Sequence, residues 1–214
     1  MKEKILKIIH GPDKLEPIYN LVFEYEKLVN NKEREDFLSV IKSLIIDGTD
    51  KEKFASLTVI KFLDKAKENE DIIKNTVEKI ILKENKKLIS PLLTLCADLS
   101  TSWAIAFILN TIKFFKPSSI EYSYYFDIGI RSLVSTEYWK EAIDEIKWAL
   151  ENFDNDYIID FIAYFKWKRK KNDEDELFQS MNHNDFLVEK IHSMQLEIEN
   201  RYATNYQKLS KNKL

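Results

Sequence analysis

Apolar residues recur at steps of three and four along most of the chain, which is the spacing of one face of an α-helix. In the stretch 13–30 these residues are Leu15, Ile18, Tyr19, Leu21, Val22, Tyr25 and Leu28. The stretch 33–46 repeats the pattern with Phe37, Leu38, Ile41, Leu44 and Ile45. Each stretch therefore predicts an amphipathic helix.

The same spacing continues to the end of the chain. It predicts helices over 50–67, 70–84, 87–99, 101–116, 119–134, 136–152, 155–171, 173–181 and 184–209. At the second junction, Gly48 suits a left-handed residue that ends a helix, and Asp50 suits the cap of the next. The connections are only a few residues long, so we expect sequential helices to lie antiparallel.

Alternate helices begin at nearly regular intervals. One set starts near 13, 50, 87, 119 and 155, and the other near 33, 70, 101 and 136. Intervals of about 31–37 residues are typical of solenoids built from helical hairpins. The alternative is an irregular bundle of helices of ordinary length.

The segment 91–109 resembles a HEAT repeat. It has Pro91 near the start of a Leu-rich helix, Asp98 near that helix's end, and a second helix rich in small residues. The segments 57–82 and 130–150 are similar in layout, but all three lack the Val-Arg pair that often opens the second HEAT helix. The resemblance implies an all-α, right-handed solenoid of four to five hairpins over 13–182, preceded by an extension, 1–12.

The C-terminal part, 183–214, has a longer apolar stripe: Leu187, Ile191, Met194, Ile198, Tyr202, Tyr206 and Leu209. This stripe predicts one long amphipathic helix that caps the last hairpin. A coiled-coil arm that dimerises the protein is the alternative.

Composition narrows the class of protein. The chain of 214 residues has three Gly, four Pro and one Cys, too few for an all-β fold, a glycine-rich phosphate loop or a disulfide scaffold. No apolar run is long enough to span a membrane, and residues 1–10 lack a signal peptide's apolar core, so we expect a cytoplasmic protein without a membrane partner. The abundance of Lys, Ile and Asn is typical of an AT-rich, bacterial genome.

The net charge of −3 is unevenly distributed. Residues 101–165 contain five basic and ten acidic side chains, and 17 of the 27 aromatic residues lie in 101–167. An acidic, aromatic-rich segment suits a basic protein partner.

No catalytic motif is recognisable, and we expect neither a metal nor a cofactor. Glu189 and His192 form a Glu-x-x-His unit, but a di-iron bundle would need a second one. Cys96 lies among leucines, as an inert core thiol does.

Three aspartates, Asp98, Asp127 and Asp160, lie in apolar helices at spacings of 29 and 33 residues. They could form an acidic row, or each could be neutralised locally. Arg131 follows Asp127 at i+4, which favours an ion pair. Asp160 has no local partner, so it must find a distant one or face solvent.

Helix 136–152 gives the best indication of function. Trp139, Ile143, Ile146, Ala149 and Leu150 form its core stripe, and Trp148 lies opposite, among carboxylates. Trp is frequent in binding hot spots, so we expect a partner-binding surface, although Trp148 could instead pack on a neighbouring helix. The predicted surface comprises Tyr138, Glu141, Asp144, Glu145, Trp148, Glu151 and Asp160.

One basic cluster contains an aromatic residue: Lys166, Trp167, Lys168, Arg169, Lys170 and Lys171. Such a cluster could bind nucleic acid, with cations on the phosphates and Trp167 stacked on a base. Alternatively it is a basic helix end followed by an acidic helix start, as helix dipoles favour.

These features predict a non-catalytic, protein-binding solenoid, and specifically a bacterial immunity or inhibitor protein that neutralises a basic toxin such as a nuclease. One alternative is a DNA-binding protein similar to the HEAT-like glycosylases that excise alkylated bases, with Asp160 or Asp127 and Trp167 in its site. Another is a structural adaptor that dimerises through 184–209.

Overall fold

The computed structural model describes residues 1–11, 16–117, 123–181, 184–207 and 209. Within these ranges every regular element is helical, which agrees with the predicted all-α class. None of the described helices is long and apolar enough to cross a membrane. The chain divides into two compact units, 1–107 and 108–214.

The first unit contains six helices and the start of a seventh. They are α1 (Lys2–Ile9), α2 (Glu16–Glu26), α3 (Asn31–Asp47), α4 (Asp50–Phe62), α5 (Glu70–Lys79), α6 (Lys86–Leu99) and the first part of α7 (Ser102–Phe115). The predicted extension thus contains a helix, α1, whose Ile5 and Ile9 are buried. Residues 13–15 of the first predicted helix lie outside the described residues.

Helix α4 is the centre of the first unit. It packs against α2, α3 and α6, and its residues Leu57, Val59 and Ile60 are fully buried. Helix α3 also contacts α5, and α5 contacts α6. Helices α2 to α6 therefore each contact one sequence neighbour and a helix two positions away along the chain.

The junction between α3 and α4 differs from the prediction. Thr49, not Asp50, caps α4: its hydroxyl accepts from the Glu52 N–H, and the Glu52 carboxylate accepts from the Thr49 N–H in a capping box. Gly48 is extended, with φ −74°, and not left-handed. A glycine is required there because a Cβ would lie 2.4 Å from the Leu44 carbonyl oxygen.

Helix α4 also ends earlier than the predicted residue 67. Asp64 takes a left-handed conformation, φ 53°, after Phe62. The N–H groups of Asp64 and Lys65 donate to the carbonyls of Lys61 and Ile60, which closes the helix as a Schellman motif. No glycine marks this end, so the sequence pattern does not reveal it.

The second unit contains the rest of α7 and six further helices. They are α8 (Tyr124–Val134), α9 (Ile143–Asn152), α10 (Asn155–Lys168), α11 (Lys171–Ser180), α12 (Asp185–Ser193) and α13 (Gln195–Tyr202). A 3₁₀ turn, Trp139–Ala142, precedes α9, and a π-helical turn, Ala203–Gln207, follows α13. Residues 119–122 of the predicted helix 119–134 lie outside the described residues.

Helix α10 is the centre of the second unit. It packs against α8, α11 and α13, and it buries Ile158, Phe161, Ile162 and Phe165. Asp154 caps its N-terminus by accepting from the Tyr157 N–H at 2.8 Å. The predicted helix 155–171 is too long, because Arg169 is extended and a new helix begins at Lys171.

The prediction of one continuous helix over 184–209 is wrong. The segment is divided into α12, α13 and the π-helical turn, with a break at Met194. The apolar stripe survives the break: Leu187, Ile191, Met194 and Ile198 are all buried. Spacing alone could not reveal the break, because the stripe keeps its period across it.

Candidate protein-binding surface

The 3₁₀ turn and α9 hold the predicted partner-binding residues in place through a buried stripe. Trp139, Ile146, Ala149 and Leu150 are at most 1% exposed, as predicted. The Trp139 ring meets Phe165 of α10 edge to face, with 5.1 Å between centroids. The opposite side of α9 therefore faces away from these core contacts.

That opposite side presents carboxylates. Glu141 and Glu151 are exposed, Glu145 is half-buried, and the Asp144 side chain is 85% exposed. Asp144 lies 3.7 Å from Lys147 Nζ, a surface ion pair of little energetic weight. Neither Glu141 nor Glu145 has a cationic partner among the described residues. This group is the acidic surface of α9.

Two of the predicted members are placed differently from the rest. Tyr138 precedes the turn and is 38% exposed, so its ring is available beside the carboxylates. Glu151, at the other end of α9, accepts a hydrogen bond of 3.0 Å from the Asn184 amide that caps α12. Glu151 is thus partly engaged within the second unit.

Trp148 packs on neighbouring rings and is also partly exposed at the surface. Its ring packs edge to face on Phe126 and Phe153, with centroids 5.6 Å and 5.7 Å away. Lys116 Nζ lies 5.3 Å from the ring centroid. The side chain is half-buried, so it is fixed by neighbouring rings and still contributes to the surface.

Asp160 lies on α10 and is not part of the acidic surface of α9. It forms an ion pair with Arg131 Nη2 at 3.0 Å, and it accepts hydrogen bonds from Arg201 Nη1 and from the Tyr206 hydroxyl, both at 3.3 Å. Asp160 has therefore found distant partners, as its apolar setting requires. Its carboxylate is engaged by these groups, unlike those of Glu141 and Glu145.

Arg131 connects Asp160 with Asp127. Its Nε donates to Asp127 at 2.9 Å, which confirms the predicted i+4 pair. Burial opposes the charge of Arg131, but the negative charges of Asp127 and Asp160 outweigh it and raise the guanidinium pKa above its ordinary value. Asp98 pairs instead with Lys61 in the first unit, 37 residues before it, so only Asp127 is paired with a local cation.

The basic cluster is largely paired within the second unit. Lys166 contacts Glu199, Arg169 contacts Asp173 at 2.9 Å, and Lys171 contacts Asp175 at 3.2 Å. Trp167 stacks on Tyr206 with centroids 5.0 Å apart, and Lys168 Nζ lies 3.8 Å from the Trp167 centroid.

Lys170 is the remaining cation of this cluster, and it is exposed. The acidic partners Asp173 and Asp175 come from the first turns of α11, directly after the basic end of α10. This is the arrangement that the two helix dipoles favour. The cluster thus presents less free positive charge than its sequence suggests.

The described part of the chain contains neither a cluster of metal ligands nor an exposed thiol. It contains no group of three or more His, Cys, Asp or Glu side chains that could hold a metal ion. Cys96 is buried, and burial raises the pKa of its thiol to about 12. His183 lies outside the described residues.

Two residues that hold Asp160, Arg201 and Tyr206, are not predicted from the sequence as its partners. Arg201 and Tyr206 lie 41 and 46 residues away from it, in a segment whose sequence pattern shows only an apolar stripe. The sequence contains one indication of such partners: a carboxylate in an apolar helix, such as that of Asp160, requires one.

Comparisons of the chain with protein-family models, curated protein sequences and solved structures found no match.

Proposed function

We propose that this protein is a non-catalytic helical-repeat protein that binds a basic protein through the acidic surface of α9. One observation carries the proposal. Glu141 and Glu145 lie on the same side of the helix as the half-buried Trp148, and neither has a cationic partner within the described residues. Asp127, Asp160 and Asp173, in contrast, are each paired with an arginine of the same unit.

The repeat architecture is supported by contacts of constant sequence separation. In a stack of hairpins each residue lies near its equivalent one repeat later, so contacts recur at the repeat length. Within the units, side-chain hydrogen bonds join residues 33 apart: Trp103 with Glu70, Tyr164 with Arg131, Arg169 with Thr136, Asn184 with Glu151 and Lys166 with Glu199.

Helix packing within the first unit agrees with this architecture. Helix α4 contacts α2 and α6, and α3 contacts α5, so each layer is formed by alternate helices. This is the packing expected of HEAT-like hairpins, and we propose a solenoid on these grounds, with the right hand that the HEAT resemblance implies. The proposal concerns architecture and implies no reaction.

The carboxylates and the Trp of this surface indicate which kind of partner it would bind. Exposed carboxylates attract a basic surface and accelerate encounter, while a half-buried Trp held by neighbouring rings contributes contact area at little entropic cost. We therefore propose an inhibitor of the immunity type, which covers a basic toxin such as a nuclease.

The test is affinity capture from the organism that encodes the chain, with and without nuclease treatment. The wild-type protein should retain a basic protein in both samples. The variant Glu141→Lys/Glu145→Lys should lose it, while the control Glu189→Lys, a reversal of an exposed charge on α12, should keep it. Retention by all three proteins, or loss on nuclease treatment, would contradict the proposal.

Nucleic-acid binding through 166–171 remains a prediction with weaker support, because three of the five cations contact carboxylates. A captured species that disappears on nuclease treatment would favour it. Release of alkylated bases from methylated DNA would identify the glycosylase form.

A further inference from the structure

One face of α10 is covered by the C-terminal segment of the chain. Asp156, Asp160, Tyr164 and Trp167 follow one another at steps of four and three, so they form a single stripe on α10. The stripe is acidic at its first half and aromatic at its second. We call these four residues the receiving stripe.

The segment 195–207, which comprises α13 and the π-helical turn, complements this stripe. Arg201 lies 3.3 Å from Asp160 and 3.7 Å from Asp156, and Tyr206 stacks on Trp167 at 5.0 Å with 18° between planes. Lys166 of α10 pairs with Glu199, and Ile198 is fully buried. The contacts therefore combine charge, stacking and apolar burial.

Helix α12 also has contacts that do not involve α13. Leu187 and Ile191 are buried, and the Asn184 amide donates to Glu151 at 3.0 Å. The His192 ring lies 6.0 Å from that of Phe178 on α11. A single residue, Met194, separates this anchored helix from α13.

The local sequence favours a continuous helix across Met194. Residues 185–207 contain neither glycine nor proline, and the apolar stripe keeps its period through the break. Straightening the break changes the dihedral angles of one residue, now at φ −100° and ψ 8°, and allows regular helical hydrogen bonds to form. The contacts with α10 hold the bent form against this preference.

Two large apolar side chains on either side of the break are exposed. Phe186 is 77% exposed and Leu196 is 73% exposed. Contact with a second copy of the chain would remove the apolar surface of these side chains from water.

We propose that the segment 195–207 exchanges between two copies of this chain. In the exchanged dimer α12 and α13 form one helix about 27 Å long, at 1.5 Å per residue. Arg201 and Tyr206 of one copy then lie on the receiving stripe of the other. The occupant is a second copy because the segment that fits this stripe belongs to the chain itself, and exchange of an existing contact is a low-cost route to a dimer.

This proposal is independent of the acidic surface of α9. Its first test uses the intact chain, unfolded and refolded at graded concentrations, followed by size-exclusion chromatography with light scattering. A dimer fraction that increases with refolding concentration is expected. A monomer at every concentration would overturn the proposal.

Cross-linking then distinguishes exchange from any other dimer. Chains with Lys166→Cys and chains with Glu199→Cys are mixed before refolding and treated with a short bismaleimide. Exchange gives a cross-linked product of two chains in the dimer fraction, and each variant alone is the control. A dimer fraction without this product would overturn the proposal.

A matched pair of variants tests the role of the break. Gln195→Ala and Gln195→Gly both remove the hydrogen bond from Gln195 to Glu199. Residue 195 starts α13 in the bent form but lies within the helix interior in the straight form, where Gly is much less favourable than Ala. The dimerisation constant should be about fivefold or more higher for the Ala variant. Equal constants would contradict exchange through a straightened helix.

Discussion

Asp160 on α10 and Arg131 on α8 form an ion pair, with 3.0 Å between the carboxylate and guanidinium. Arg131 also binds Asp127, which lies 33 residues before Asp160. The two aspartates are thus one repeat length apart and share one cation. This single arginine links α8 and α10, and Arg201 supplies a second cation to Asp160.

Replacement of Arg131 should strongly destabilise the fold. Its side chain is 17% exposed and that of Asp127 is 9% exposed, so Arg131→Ala leaves a buried carboxylate without its counter-ion. Because both ion pairs of Arg131 are lost, we expect a loss of about 3 kcal/mol in the free energy of unfolding, measured by urea titration. Lys140→Ala, which breaks the exposed pair with Glu176, should cost less than about 1 kcal/mol. Equal losses would contradict a structural role for Arg131.

Gly48→Ala should also destabilise the fold, although Gly48 has an ordinary φ. An added Cβ would meet the Leu44 carbonyl at 2.4 Å and Glu52 Cβ at 2.9 Å. We expect a loss of about 1–3 kcal/mol in the thermal or urea transition, because backbone must move. Gly11→Ala is the control, since its nearest contact is 3.2 Å, and its loss should be smaller.

Stability should depend on Glu52 in acid. Hydrogen bonds from His10 and from the Thr49 N–H lower the pKa of Glu52 below 4.5. The folded state therefore binds this proton less readily than the unfolded state, and the contribution of Glu52 is lost as pH falls through the folded pKa. The stability difference between wild type and Glu52→Gln should shrink as the pH falls below about 5.5. A difference independent of pH would refute this role.

Cys96 should be unreactive in the folded protein. Burial raises its thiol pKa to about 12, so little thiolate exists at neutral pH. A thiol reagent such as DTNB should react only as fast as the protein opens, and fully in denaturant. Rapid reaction under native conditions would show that Cys96 is accessible.

The sequence predicted helix positions well where apolar spacing and local caps agree. It failed at Asp64, because an aspartate there adopts the left-handed conformation usually left to glycine, and at Met194, because no residue type marks the break. The end at Asp64 is closed by local backbone hydrogen bonds, and the break at Met194 precedes the helix that packs on α10. Periodicity describes which face is buried, and it does not describe where a helix stops.

The candidate site was predictable to a similar extent. The pair of Asp127 and Arg131 followed from i+4 spacing, and the buried stripe of α9 followed from its period. The partners of Asp160 could not be identified, because Arg201 approaches it only after α13 has packed on α10. In contrast, the ion pair of Arg169 with Asp173 could be predicted from its i+4 spacing. It is one reason why the basic cluster has few unpaired cations.

The most direct measurement is calorimetric titration of the captured partner into wild type, Trp148→Ala/Glu145→Lys and the control Glu189→Lys. Loss of a half-buried aromatic anchor and reversal of a free charge should weaken binding at least about tenfold. The control should bind as wild type does. Unchanged affinity in the double variant would contradict the proposed binding surface.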